Sequence, residues 1–238
     1  MMRAGLPILA GVTAILIGSP AQAQDSDAIQ FGPAPTATTP YESARAIERE
    51  VHAALLAEAE EERRDAHVER AVELSRRFVE VSADEADAHY WLSVSLGVKT
   101  EYSGAFAKLT TGKECYQVTM RTLELDPDHA GAHEMLGRIH AGVMRLPWLV
   151  RKLGGSLGMN DALGEASWES AEQHLRRAAE LDAGAIAPRL ELGKLLADRD
   201  RADESTIWFR RAIEIVPSSD LDVAMQTEAE QILERLAG

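Results

Sequence analysis

Seven histidines and a single cysteine are the side chains of this 238-residue chain best equipped for chemistry, and their spacing bounds what they could do. His129 and His133 stand four residues apart, with His140 seven further on, so one helix face could gather all three. A metal centre built on them would need a carboxylate or thiolate at matching geometry. His133-Glu134 lacks a second histidine at the zinc-peptidase spacing, and no Gly-x-Ser-x-Gly elbow, phosphate loop or dinucleotide fingerprint occurs. Gly154-Gly155-Ser156-Leu157-Gly158 is glycine-rich, but it follows a helical stretch instead of opening one after a strand, so it reads as a hinge. Glu58 and the run Glu60-Glu61-Glu62 read as a solvated helix face, because a catalytic carboxylate pair needs a cleft that drives two pKa values apart. Cys115 can form no intrachain disulfide and reads as a small buried hydrophobe. These patterns predict a non-catalytic protein without cofactor or metal. An enzyme is the remote alternative.

The elements that would position these residues are helical. Hydrophobic residues make up 45% of the chain and charged ones 27%, as in a soluble globular protein, while aromatics are only 5%. A mixture rich in Ala, Leu and Glu favours helices over pleated sheets. The formal net charge of −14 excludes a broadly basic face for nucleic acid.

The first residues read as a targeting signal. Met1-Met2-Arg3 is a short positive region, Ala4 to Ile17 is mostly apolar, and Ala21-Gln22-Ala23 fits a small-x-small cleavage pattern. Gly5, Pro7 and Gly11 interrupt the apolar run, which is too short for a comfortable membrane span. The expectation is a signal peptide over 1–23 cleaved after Ala23, a periplasmic or secreted mature chain and no transmembrane span in it. A retained anchor is the alternative. Residues 24–40, rich in Pro, Thr and Ala and without period, read as a flexible linker.

From Tyr41 onward the chain repeats itself. Arg77–Ala83, Arg121–Pro127, Arg177–Ala183 and Arg211–Pro217 each run basic-x-apolar-Glu-apolar, with Ala or Pro two residues later. Each closes a helix, most firmly where proline forbids continuation. Nine residues past the turn position come Leu92, Leu136 and Leu192, followed by Ser93, Gly137 and Gly193. Twelve before it come Ala71, Cys115, Ala171 and Ser205. Small residues at both places would let paired helices nest. The spacing predicts helices over 41–60, 65–81, 85–99, 106–125, 129–145, 162–182, 186–198, 202–215 and 220–236, with Asp126 and Asn160 or Asp161 as N-caps.

This layout resembles the tetratricopeptide repeat, whose period matches the 34 residues from Ala183 to Pro217. Earlier intervals of 44 and 56 residues imply insertions near 100–112 and 145–163 within a repeat domain over 41–238. The resemblance implies an all-α stack of helical hairpins forming a right-handed superhelix, closed by a polar capping helix over 220–236. His133 and His140 flank Leu136 where such repeats carry large packing residues, and His89 takes the same place before Leu92.

The middle of the chain is more particular. Leu96-Gly97-Val98-Lys99-Thr100-Glu101-Tyr102, Leu136-Gly137-Arg138 and Leu146-Pro147-Trp148-Leu149-Val150-Arg151-Lys152-Leu153 resemble the regulator of microtubule dynamics family over about residues 68–236. That resemblance implies a binding module. Eukaryotic relatives are associated with microtubules and with lipid handling at membrane contacts. A chain with a signal of bacterial appearance meets no microtubules, so the fold carries over and that function does not.

If the first helix of each pair lines the concave side, the inward positions are Tyr90 and Val94, Glu134 and Arg138, and Leu190 and Lys194. Their mixture suits a polar or amphipathic partner. Trp148, Arg151 and Lys152 in the second insertion could cover the groove or touch an anionic lipid head, or Trp148 could simply pack the insertion onto the array, as could Tyr102 and Phe106 in the first. Two readings stay open: an interaction module holding a protein or peptide partner, and a carrier of lipid or another hydrophobic ligand.

Overall fold

The computed structural model describes residues 39–57, 60–148, 151 and 166–237, the side chains at 105, 106, 109 and 237 excepted. The leader, the linker up to residue 38, Lys152, the glycine hinge, the side chain of Phe106 and the caps expected at Asn160 or Asp161 lie outside these residues. The fold is all-α. In chain order the helices are α1 (Pro40–Leu56), α2 (Glu61–Val81), α3 (Ala86–Tyr102), α4 (Ala105–Leu125), α5 (Ala130–Arg145), α6 (Trp168–Leu181), α7 (Ala187–Asp198), α8 (Ala202–Ile213) and α9 (Asp220–Ala237).

Local chemistry fixes the helix ends. Thr39-Pro40-Tyr41-Glu42 opens α1 with a capping box: the Thr39 hydroxyl accepts from the Glu42 amide and the Glu42 carboxylate accepts from the Thr39 amide. Ser167 caps α6 by accepting from the Ser170 amide. Asp126 does not cap α5 as expected. It ends α4 and turns its carboxylate to the Asp128 amide, while His129 Nδ1 accepts from the Ala132 amide and is the true cap. Glu60, Glu61 and Glu62 are exposed at the start of α2, where negative charge suits the helix dipole.

The helices pair as α1–α2, α3–α4, α5–α6 and α7–α8, and α9 closes the row against α7 and α8. Successive first helices, α1, α3, α5, α7 and α9, pack on one another more closely than successive second helices do, so the row curves with its first helices inside. The small residues meet where the spacing placed them. Ser205 Oγ donates to Gly193 O at 2.8 Å, Cys115 Sγ to Ser93 O at 3.3 Å, and a Cβ on Gly137 would lie 3.2 Å from Ala171 O. Burial pushes the Cys115 thiol up to about 12, which leaves it protonated and unreactive.

The core is a band between the two helix rows, with Phe78, Leu96, Leu136, Leu175, Leu192, Leu195 and Phe209 fully buried or nearly so. Each such side chain contributes roughly 1.5–3 kcal/mol of transfer free energy. The extra residues of the second repeat lengthen helices instead of looping out: α3 and α4 have 17 and 21 residues, against 12 each for α7 and α8. The Arg64 guanidinium sits 4.3 Å over the Tyr102 ring and ties the end of α3 to α2. At the other end, Gln226 Nε2 donates to the carbonyls of Ala212, Ile213 and Ile215, so α9 satisfies the exposed C-terminus of α8.

Candidate partner-binding groove

The first helices present a line of charged side chains along the inner face. On α5, Arg138 Nη1 lies 3.6 Å from Glu134 Oε1, one helical turn away. On α7, Lys194 Nζ lies 3.1 Å from Glu191 Oε1 and 2.8 Å from Glu228 Oε1 of α9. Arg145 pairs with Asp198 at 2.8 Å between the ends of α5 and α7. The Arg138 side chain keeps 43% of its surface exposed, whereas those of Glu134, Glu191, Lys194 and Glu228 are mostly covered.

Protein on both sides of the groove shapes the ionisation of these groups. Burial alone lowers Arg138, but Glu191, Glu134 and Glu101 outweigh it and hold it raised. Burial likewise opposes Lys194, and Glu191 and Glu228 reverse the effect. Burial pushes Glu191 up, yet Lys194, Arg138 and Arg145 pull it down to about 2. Glu134 differs: burial raises its carboxyl and the loosely placed Arg138 offsets this only in part.

Beside Glu134 the groove deepens into a cleft of about 190 Å³ lined by Tyr90, His129, Gly131, Ala178, Asp182 and Pro188, among others. A Cβ on Gly131 would lie 2.4–2.5 Å from Tyr90 ring atoms and 2.7 Å from its hydroxyl oxygen, so only glycine lets that ring rest on the α5 backbone. His129 supports the ring from the side, with centroids 4.6 Å apart, and its Nε2 reaches Asp87 at 3.1 Å. Burial, and secondarily Glu134, raise the Tyr90 phenol, so it keeps its proton.

The remaining expected positions divide. Val94 is half-buried and packs against the core clusters of the first two hairpins. Leu190 is a correction: it is 2% exposed, packed with Phe209 and Ala229, and its neighbour Glu191 carries the charge at this level. The reason is α9, which lies over Leu190 where a further repeat would otherwise stand. Trp148, just past the end of α5, is 65% exposed, and Arg151 Nη1 lies 3.0 Å from Met144 Sδ.

The histidines act within the array. His133 Nε2 lies 3.0 Å from Pro127 O and His89 Nε2 lies 2.8 Å from Ala83 O, each tying a first helix to the turn before it. Arg189 repeats the device with Asp182 O at 3.2 Å. His133 Nδ1 also meets His174 Nδ1 at 2.9 Å, and the His140 ring stacks on His174 at 5.7 Å.

Residues 41–237 match the family model described as regulator of microtubule dynamics protein 1-3. The chain belongs to that family. Among its relatives, regulator of microtubule dynamics protein 1 of Bos taurus is 25% identical over 181 residues, 76% of this chain and 56% of that protein. Regulator of microtubule dynamics protein 3 of Bos taurus is 26% identical over 155 residues, 65% of this chain and 32% of that protein. The chain thus spans less than two thirds of these relatives' length. A solved thermophilic tetratricopeptide protein of Thermus thermophilus, TTC0263, shares the fold with a TM-score of 0.51 at 19% identity, covering 82% of this chain and 89% of that one.

In this regulator of microtubule dynamics family member, inspection of the sequence missed Glu191, Glu228 and His174. Glu228 was within reach: it lies 34 residues after Lys194, one repeat period on, so the charged line continues into the capping helix. Glu191 and Lys194 form an i,i+3 pair legible in the same way. His174 had no local signal, since it meets His133 from 41 residues away.

Proposed function

We propose that this family member is a non-catalytic interaction module of the periplasm, whose inner groove holds an extended segment of a protein partner. The observation that carries the reading is the line of paired charges crossing α5, α7 and α9 along the inner face, with Arg138 its most exposed member, continued by the Tyr90 cleft. Such a surface gives an extended chain charged side chains to meet at successive levels. The pattern over Met1 to Ala23 supports export, and no helix among the described residues is long and apolar enough to cross a membrane.

A hydrophobic-ligand carrier is the second reading, favoured by the exposed Trp148 indole, with Arg151 three residues on in the sequence. It asks for a continuous apolar cavity of at least roughly 300 Å³. The groove cleft is smaller and carries two carboxylates, and a larger opening of about 460 Å³ between α6 and α8 mixes Trp208, Ala179 and Ile215 with Arg176, Arg189, Arg211, Glu180 and Glu214, so it is not continuously apolar. Native mass spectrometry with organic extraction of the protein purified from its own cells separates the two readings. The expected result is a chain free of lipid that retains a defined protein. A stoichiometric phospholipid or fatty acid, lost on Trp148→Ala, would replace the module by the carrier.

A further inference from the structure

The groove's charges are unequal in what they still need. Lys194 is held between two carboxylates, whereas Arg138 keeps 43% of its surface exposed and its ion pair with Glu134 is 3.6 Å long. On the acidic side the demand is unmet. Glu134 has one cation at 3.6 Å, beyond hydrogen-bond range, while burial weakens its hydration. The second oxygen of Glu228 is buried and has no hydrogen-bond partner among the described residues. A partner carboxylate seated in the cleft would meet Glu134 and Asp182 on its lining.

The cleft beside Glu134 adds shape to charge. Its apolar wall, Ala178, Ala185 and Pro188, would cover the methylene stem of a long side chain. Tyr90, held flat by Gly131, supplies an aromatic ring, and Glu134 and Asp182 lie on the lining. At about 190 Å³ the space is below the roughly 300–1,000 Å³ of small-molecule sites and suits a single side chain.

We propose that this cleft seats a lysine or arginine side chain of the partner, so that the groove selects a basic extended segment and rejects an acidic one. The inference rests on the groove being the partner-binding surface. Glu134 receives the cation, Tyr90 and the apolar wall position its stem, and Glu134 and Asp182 together repel a carboxylate.

Fluorescence anisotropy on the full chain tests this with three labelled peptides of equal length, alternating alanine with lysine, glutamine or glutamate. Ionic strength is kept physiological, where a Debye length of about 8 Å suppresses the pull of distant charges. The lysine peptide is expected to bind and the glutamate peptide not to. Glu134→Gln should weaken the lysine peptide about 5–10-fold, whereas Glu124→Gln, at an exposed position of α4, should change it less than about twofold. Equal effects of the two substitutions would overturn the proposal and reduce the attraction to the overall net charge. Tighter binding of the glutamine or glutamate peptide, lost on Lys194→Ala, would overturn basic selection and leave the groove standing. Binding by none of the three, or binding unmoved by either groove substitution, would sink both.

Discussion

Gly193→Ala is expected to lower the thermal unfolding midpoint of the array by about 4–8 °C, although alanine is the better helix former. A Cβ at this position lies 2.5–2.9 Å from Phe209 ring atoms, and Phe209 is fully buried against Leu190 and Ala229. Glycine in a helix costs up to about 1 kcal/mol relative to alanine, while overpacking a close-packed core costs about 1–3 kcal/mol or slightly more. The ring has no room to retreat, so the steric loss wins by about 2 kcal/mol. Gly137→Ala should behave alike, its Cβ falling 2.5 Å from Leu175 Cγ and 3.2 Å from the Ala171 carbonyl oxygen. Gly142, on the same helix as Gly137, has nothing within 4 Å, and its replacement by alanine should leave the midpoint unchanged or raise it. Calorimetry of the three variants decides the matter. Equal shifts at 142 and 193 would mean that α7 and α8 are not nested as described.

Lowering the pH from 7 to 4.5 should destabilise the fold through the stacked imidazoles between α5 and α6. A carbonyl only accepts, so His133 Nε2–H donates to Pro127 O and its Nδ1 accepts from His174 Nδ1–H. Burial, then the neighbouring His133 and His140, lower His174 from 6.5 to about 4. Between those values the unfolded chain binds more protons than the native one, so stability rises with pH across the window and is lost as pH falls toward 4. Water reaches part of the ring, and with that screening the loss is on the order of 1–2 kcal/mol, or about 2–8 °C in midpoint. Glu134, whose carboxyl is raised, works in the opposite direction and trims the effect near its lower end. Glu191, already down to about 2, adds to the loss from near pH 4.5 downward, where the unfolded carboxyl takes up its proton. His174→Gln should flatten the dependence of midpoint on pH between 7 and 4.5. A slope as steep in the variant as in the parent would place the proton uptake elsewhere.

Local and periodic features of this fold could be read from the residues alone. The small residues Ser93, Gly137 and Gly193 face Cys115, Ala171 and Ser205 because a helix pair can approach closely only where both lack bulk, and a fixed register records that need in the spacing. Helix ends marked by proline were legible because proline forbids continuation, whereas Thr39 and Pro40, which open α1, lie in what reads as linker. What the spacing could not supply was the placement of elements with no repeat of their own. Nothing near Leu190 announces that α9 covers it, and period counting assigns it to the groove with Tyr90 and Glu134. His129 as a cap and His174 as a partner depend on backbone direction and on a contact across helices. The charged line itself was half visible: Glu134, Arg138 and Lys194 follow from the repeat register, while Glu228 required carrying the period into a helix that reads as a lid.

The central claim is that the inner row of helices, not the outer, receives the partner. Photo-crosslinking in the native cell tests it directly, with a photoreactive amino acid placed at Arg138 in one version and at Glu124 in another. Both positions are exposed, and they lie on α5 of the inner row and α4 of the outer one. One discrete protein should be captured from position 138, absent from position 124, and diminished when Glu134→Gln is added. Capture from position 124 alone, or equally from both, would contradict the account.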